Sequence, residues 1–192
     1  MIKTLIIDNG SSYLASLKAL TLKYSVPTIK KYRGIEELDK KQYDVIILSG
    51  GHKFSVIGHK DEFAKELDLI KEASTPILGI CLGFELIAHS FGAKMLRMKT
   101  KEKNILHINK LENDPIFANI GHIKVFESHR WVVTDTGDTL IPLANSKDGI
   151  EIIKHKEQPM YGFQFHPEMF PDQTQGDELF ANFIKIVQNK NV

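Results

Sequence analysis

The chain has 192 residues, 42% hydrophobic and 26% charged, the make-up of an ordinary globular domain rather than a disordered or fibrous segment. Its 25 basic and 24 acidic side chains leave a formal charge of +1, so the balance gives no reason to expect nucleic acid or an anionic membrane as partner. A single cysteine excludes an internal disulfide framework, and no apolar run has the length of a membrane span or secretory leader, so a cytoplasmic location is expected.

Residues 2–7 read as a buried strand closed by the turn cluster Asp8-Asn9-Gly10. Ser11 or Ser12 is placed to cap a helix reaching about Tyr24, with Leu14, Leu17 and Leu20 on one face. Strands follow at 27–32 and 43–48, the second ending at Ser49-Gly50-Gly51. A helix is expected over 60–73, a strand over 76–80 and a helix over 83–91. This alternation predicts an α/β fold: an open, mostly parallel, flavodoxin-like sheet covered by helices on both faces, with functional loops at the carboxyl ends of its strands. Short strands at 104–109, 122–127, 139–144, 149–154 and 160–165 predict an antiparallel or mixed extension in the second half. A helix over 177–188 turns Leu179, Phe180, Phe183, Ile184 and Val187 inward. No repeat, low-complexity stretch or linker interrupts residues 1–192, which read as one domain.

Gly79-Ile80-Cys81-Leu82-Gly83 lies between a predicted strand and a predicted helix. That is the pattern of a nucleophile elbow with sulphur in place of oxygen. Glycines on either side allow a sharp turn where a Cβ would crowd the helix or the neighbouring strand. The helix N-terminus is expected to lower the Cys81 thiol from its usual value, and the Leu82 N–H to point toward a developing oxyanion. A lone cysteine is more often a small buried hydrophobe; the flanking glycines and the strand-to-helix position reverse those odds.

A base is supplied by Gly162-Phe163-Gln164-Phe165-His166-Pro167-Glu168. In an extended segment His166 and Glu168 share a face, and Pro167 biases His166 toward that conformation. A carboxylate there accepts the Nδ1 proton and leaves Nε2 for the thiol. Most of the other seven histidines are expected to be solvated or hydrogen-bonded surface residues. None has metal-ligand spacing, so neither metal nor cofactor is expected.

Together with Ser49-Gly50-Gly51, these two motifs resemble the class I glutamine amidotransferases over nearly the whole chain. The resemblance implies that Cys81 attacks the side-chain amide of L-glutamine, forming a γ-glutamyl thioester and releasing ammonia to an ATP-dependent synthetase domain or subunit. It makes His166 the general base and acid and Glu168 its orienter. Backbone N–H groups of Leu82 and of Gly50 or Gly51 form the oxyanion site, and Ser128-His129 hold the amino-acid end of glutamine. Within the family, Asp8-Asn9-Gly10, residues 122–129, residues 149–155 and Gly176-Asp177-Glu178-Leu179-Phe180 look most like the branch in which the glutaminase is a stand-alone subunit of GMP synthase.

Three departures stand out. Glu85 occupies a position that is usually glutamine in the family, where its side chain can face the substrate's amino-acid end and pair with the ammonium. His52 follows Gly51 where many relatives have proline. Arg130-Trp131 follows Ser128-His129 where the GMP synthase branch usually has an acidic residue; they are candidates for a partner contact or, in the case of Trp131, for the core. Glu85 keeps open a hydrolase of another γ-glutamyl amide or peptide, and a non-catalytic regulatory module on the same fold is the third alternative.

Overall fold

The computed structural model describes residues 2–35 and 42–190. The first half alternates as the sequence predicts: β1 (Ile2–Asp8), α1 (Leu14–Leu22), β2 (Ser25–Lys31), β3 (Val45–Leu48), α2 (Ala64–Lys71), β4 (Ile77–Ile80) and α3 (Leu82–Ser90). Neither serine caps α1 through its side chain: the cap position is Tyr13, and Ser11 Oγ instead accepts from the Tyr13 N–H at 3.1 Å. After α3 come β5 (Lys94–Lys110), β6 (Ile123–Asp135), β7 (Leu140–Asn145), β8 (Ile150–His155), β9 (Met160–Phe163) and α4 (Gly176–Lys190).

Among the described residues, nine strands join one sheet in the order β2-β1-β3-β4-β9-β8-β6-β5-β7, with an additional β7–β8 pairing. The strands β2, β1, β3, β4 and β9 run parallel. Every other pairing is antiparallel, five of the nine.

The expected open, mostly parallel, flavodoxin-like sheet is therefore not what forms. Because β7 pairs with both β5 and β8, the strands β5, β6, β8 and β7 close into a barrel-like ring, and among the described residues there are only four α-helices. The cause lies in β5. Its first half, 94–103, carries Lys94, Arg97, Lys99, Lys101 and Lys103 and no apolar run, so hydrophobic patterning does not mark it as a strand. Backbone pairing with β6 makes it one, interrupted by a register shift between Arg97 and Glu102. An expected short extension thus becomes a 17-residue arm on a 13-residue partner.

The side-chain period of two divides the core. Ile6, Ile47 and Leu78 face a layer built with Leu17 and Leu20 of α1 and Phe180, Phe183 and Ile184 of α4. Ile7, Ile46 and Leu48 face the opposite layer, with Leu69 and Ile70 of α2 and Phe84 and Ile87 of α3. Among the described residues, no helix is long and apolar enough to cross a membrane. The loops after β1, β3, β4 and β9 gather at one end of the parallel strands.

Candidate active site

β4 feeds Ile80 into a bend at which Cys81 takes φ 52° and ψ −103°, and α3 begins at the next residue. Side chains seldom occupy that left-handed region, so the conformation must be held by its surroundings. The Cys81 N–H donates to the Phe163 carbonyl of β9 at 2.8 Å, and its carbonyl accepts from the Glu85 N–H at 3.0 Å. The flanking glycines are a steric requirement. A Cβ on Gly79 would run into the Gly83 carbonyl, and one on Gly83 into the Leu48 carbonyl at the end of β3.

The expected depression of the thiol does not occur. Burial pushes the Cys81 thiol well above its usual value, the carboxylates Glu85, Glu127 and Glu168 add to the rise, and only the Leu82 N–H opposes them. One short helix terminus does not offset full desolvation beside three acidic groups.

His166 Nδ1 lies 2.9 Å from Glu168 Oε1, with both side chains buried. An ionised carboxylate only accepts, so Nδ1 carries the proton and Nε2 is the free nitrogen. The pair forms where the sequence predicts it, but not in an extended segment: β9 ends at Phe163, and Pro167-Glu168 make a turn. The ring is held instead by the His166 N–H, which donates to the Phe126 carbonyl at 2.9 Å, and by an edge-to-face contact with Tyr13 at 4.7 Å between ring centres.

Gly50 separates the imidazole from the cysteine. A Cβ on Gly50 would stand 2.9 Å from His166 Cε1 and 3.5 Å from Cys81 Cβ, so one glycine is flanked by both side chains. Among the described residues no hydrogen bond joins Sγ to the ring; the sulphur faces the Ser128 carbonyl at 4.0 Å. The fold has made neighbours of the two groups without bonding them. Gly51 is packed equally tightly, against the Asn9 carbonyl and the Leu82 side chain.

Cys81, Leu82, Gly51, Glu85, Ser128 and His129 line a cleft of about 340 Å³. His166 opens onto a smaller adjoining space shared with Gly51 and Ser128. Gly50 and Glu168 are not part of either lining. Glu85 is buried beside the cleft; desolvation pushes its carboxyl up to about 7, with His129 and Gln164 pulling the other way. Arg130 and Trp131 are half-buried at the mouth together with exposed His52, Arg97 and Lys101, so Trp131 is not a core residue.

The sequence assigns no side-chain role to two further participants. Tyr13 packs on His166, and its hydroxyl donates to Ser128 Oγ at 3.4 Å. Asn9 ties the first loop to the third: its N–H donates to Ser49 Oγ at 3.0 Å and its Nδ2 to the Ser49 carbonyl at 3.1 Å. The surface placement expected of most histidines fails for His129 and His155, both buried. Potential metal ligands converge in one place among the described residues: Glu127, His129 and Glu151 are buried and bring ligand atoms within 4.8 Å of one another. Spacing rules miss this group because Glu151 arrives from β8.

Comparison with known proteins agrees with this geometry. The family model of glutamine amidotransferase class-I matches residues 5–186. The chain is 35% identical over 191 residues to the glutamine-hydrolysing GMP synthase subunit of Methanosphaera stadtmanae, covering 96% of this chain and 97% of that one. It is also 35% identical over 186 residues to the protein of the same name from Pyrococcus abyssi, covering 94% and 96%. A crystal structure from Thermoplasma acidophilum, of a protein provisionally assigned to GMP synthase, superimposes with a TM-score of 0.87 at 28% identity, covering 100% of this chain and 96% of that one.

Proposed function

The chain belongs to the class I glutamine amidotransferase family, and from that premise we propose that it hydrolyses the side-chain amide of L-glutamine and passes the ammonia to a separate ATP-dependent synthetase subunit. The acceptor in this reading is the synthetase of GMP synthase, because near full-length relatives carry the name of that enzyme's glutamine-hydrolysing subunit. Residues 1–192 act as one domain. The cytoplasm is the compartment, where a working thiol stays reduced. The observation that carries the chemistry is the His166–Glu168 bond, with the imidazole set across Gly50 from Cys81.

Cys81 Sγ attacks the amide carbon as its proton passes to His166 Nε2. Since burial holds the sulphur as a thiol, the base is needed at the moment of attack rather than beforehand. Glu168 keeps the ring in the required tautomer and stabilises the imidazolium that forms. Charge on the substrate oxygen is taken by backbone N–H groups of Leu82 and of Gly50 or Gly51, each such donor contributing about 3 kcal/mol to the barrier reduction. His166 returns its proton to the leaving nitrogen, ammonia departs, and a γ-glutamyl thioester remains on Cys81. Water, deprotonated by the same ring, then releases glutamate and restores the thiol. Ser128 and His129 hold the amino-acid end, and the Glu85 carboxylate pairs with the substrate ammonium.

The test is release of ammonia and glutamate from L-glutamine, by the isolated chain and with the synthetase present. Turnover by Cys81→Ala equal to that of the unaltered chain would falsify the assignment. Glu85 also favours a second reading, hydrolysis of another γ-glutamyl amide or peptide. If Glu85→Gln abolishes such an activity without improving use of glutamine, that second reading replaces the first.

A further inference from the structure

Beneath the cleft wall lies a group of buried ionisable side chains that the proposed reaction does not use. Glu127 of β6 is fully buried, and among the described residues neither of its oxygens has a hydrogen-bond donor. Glu151 of β8 is buried beside it, with a carboxylate oxygen within 4.8 Å of one from Glu127; Oε1 accepts from the Ser146 hydroxyl at 2.6 Å, and among the described residues Oε2 has no donor. His129 completes the group, with Nε2 3.0 Å from Glu127 Oε2 but out of line for a hydrogen bond. Its Nδ1 is 2.8 Å from the Trp131 carbonyl, which only accepts, so that nitrogen carries a proton.

Among the described residues, no lysine or arginine pairs with either carboxylate. Lys147, 3.4 Å from Glu102 and 3.2 Å from Asp148, is committed to the outer acids. The other titratable groups facing the pair are Glu102 from β5, Asp148 from the β7–β8 turn and Cys81 from the elbow, while Glu85 of α3 faces His129. All but His129 are acidic; His129 favours the charged form of Glu151, but burial and the neighbouring Glu127 carboxylate outweigh it. Two ionised carboxylates in a dry site repel each other, and each bears its own desolvation cost. One added proton removes both penalties, because a carboxyl donates to a carboxylate where two carboxylates can only accept.

We propose that Glu127 and Glu151 share a single proton, and that this carboxyl–carboxylate clasp is a positioning element holding Ser128-His129 against the cleft. Ser128 sits between Glu127 and His129 in sequence, and its carbonyl is the group facing the Cys81 sulphur. Slackening the clasp therefore loosens the wall that receives the amino-acid end of the substrate. The geometry carries this reading: carboxylate oxygens of the two residues lie within 4.8 Å of one another, and among the described residues both carboxylates have an unpartnered oxygen.

Infrared spectra of the full chain at neutral pH are expected to contain a protonated-carboxyl band that disappears in both Glu127→Gln and Glu151→Gln. Glu66 and Glu85 contribute their own bands, which is why loss on substitution makes the assignment. The folded chain holds a proton that the unfolded chain releases above the ordinary carboxylate value of 4.5. The melting temperature is therefore expected to fall as pH rises from there toward about 8, and to fall less steeply in Glu151→Gln. The kinetic part rests on the glutaminase reading: Glu151→Ala raises KM for glutamine about tenfold at unchanged kcat, and Glu151→Gln restores it.

If Glu151→Ala does not fold, the two glutamine variants still decide. A band untouched by either variant overturns the clasp. So does one equivalent of a divalent metal in the purified protein, since a cation would then occupy the place of the proton. A melting-temperature change with KM unmoved overturns the positioning role. Failure of the glutaminase reading looks different, because it silences turnover in every variant while leaving the infrared and melting signals in place.

Discussion

The parallel strands and the antiparallel ring meet at the β8–β9 pairing, and they support the site by different means. On the parallel side, positioning is done by backbone: a positive φ at Cys81, glycines at 79 and 83 with no room for a Cβ, and Gly50 wedged between sulphur and imidazole. The ring side works through buried ionisable groups: Glu127, His129 and Glu151 beneath the cleft, and Asp114 tied to Lys154 and Tyr161 farther away. Backbone positioning is rigid and insensitive to pH. Positioning by buried charge depends on every proton being in place, so the two halves should fail differently when perturbed.

Removing the sulphur tests the parallel side most severely. Cys81→Ala is expected to lower glutaminase turnover by about four to six orders of magnitude while leaving the melting temperature nearly unchanged. On the ring side, Asp114→Ala removes a side chain that accepts from Lys154 Nζ at 2.6 Å, the Tyr161 hydroxyl at 3.0 Å and the Ile116 N–H at 3.0 Å. The expected cost is about 3 kcal/mol of stability in a urea titration, with turnover of the folded enzyme preserved. An equal loss of turnover would erase the contrast between the halves.

Gly50→Ala is a finer probe. Its Cβ would press on His166 Cε1, and displacing the ring by a fraction of an ångström is expected to reduce kcat about 100-fold with little change in stability. The smallest effect belongs to Glu85, where the halves face each other. Its carboxyl, raised to about 7, is neutral below that pH and charged above it. If the charged form pairs with the substrate ammonium, glutamine affinity rises as pH increases through about 7. Glu85→Gln is expected to flatten that dependence and weaken binding about tenfold above neutrality, read as Kd by calorimetry on the Cys81→Ala background.

The sequence made the parallel strands and the short ring strands legible, but neither the first half of β5 nor the closure of the ring, for reasons visible in particular residues. Apolar runs such as Val45–Leu48 and Ile77–Ile80 mark fully buried strands, and glycines beside a cysteine mark a bend. The half of β5 rich in lysine and arginine has no such pattern, since its side chains face solvent and its order comes from the hydrogen-bond ladder with β6. The helix terminus was expected to govern the Cys81 thiol, yet the decisive carboxylates include Glu127, which comes from a distant strand.

The amino-acid sequence by itself determined the local chemistry: a thiol on a forced turn, an imidazole two residues from its carboxylate, and glycines where backbone must pass closely. Those features are short-range, and each leaves its signature within a few residues. Tertiary structure alone decided that the sheet closes into a ring, that Tyr13 packs on His166, and that Glu127 and Glu151 meet in the interior. Such outcomes depend on strand register and burial, which bring distant residues together with no mark in the sequence near either one.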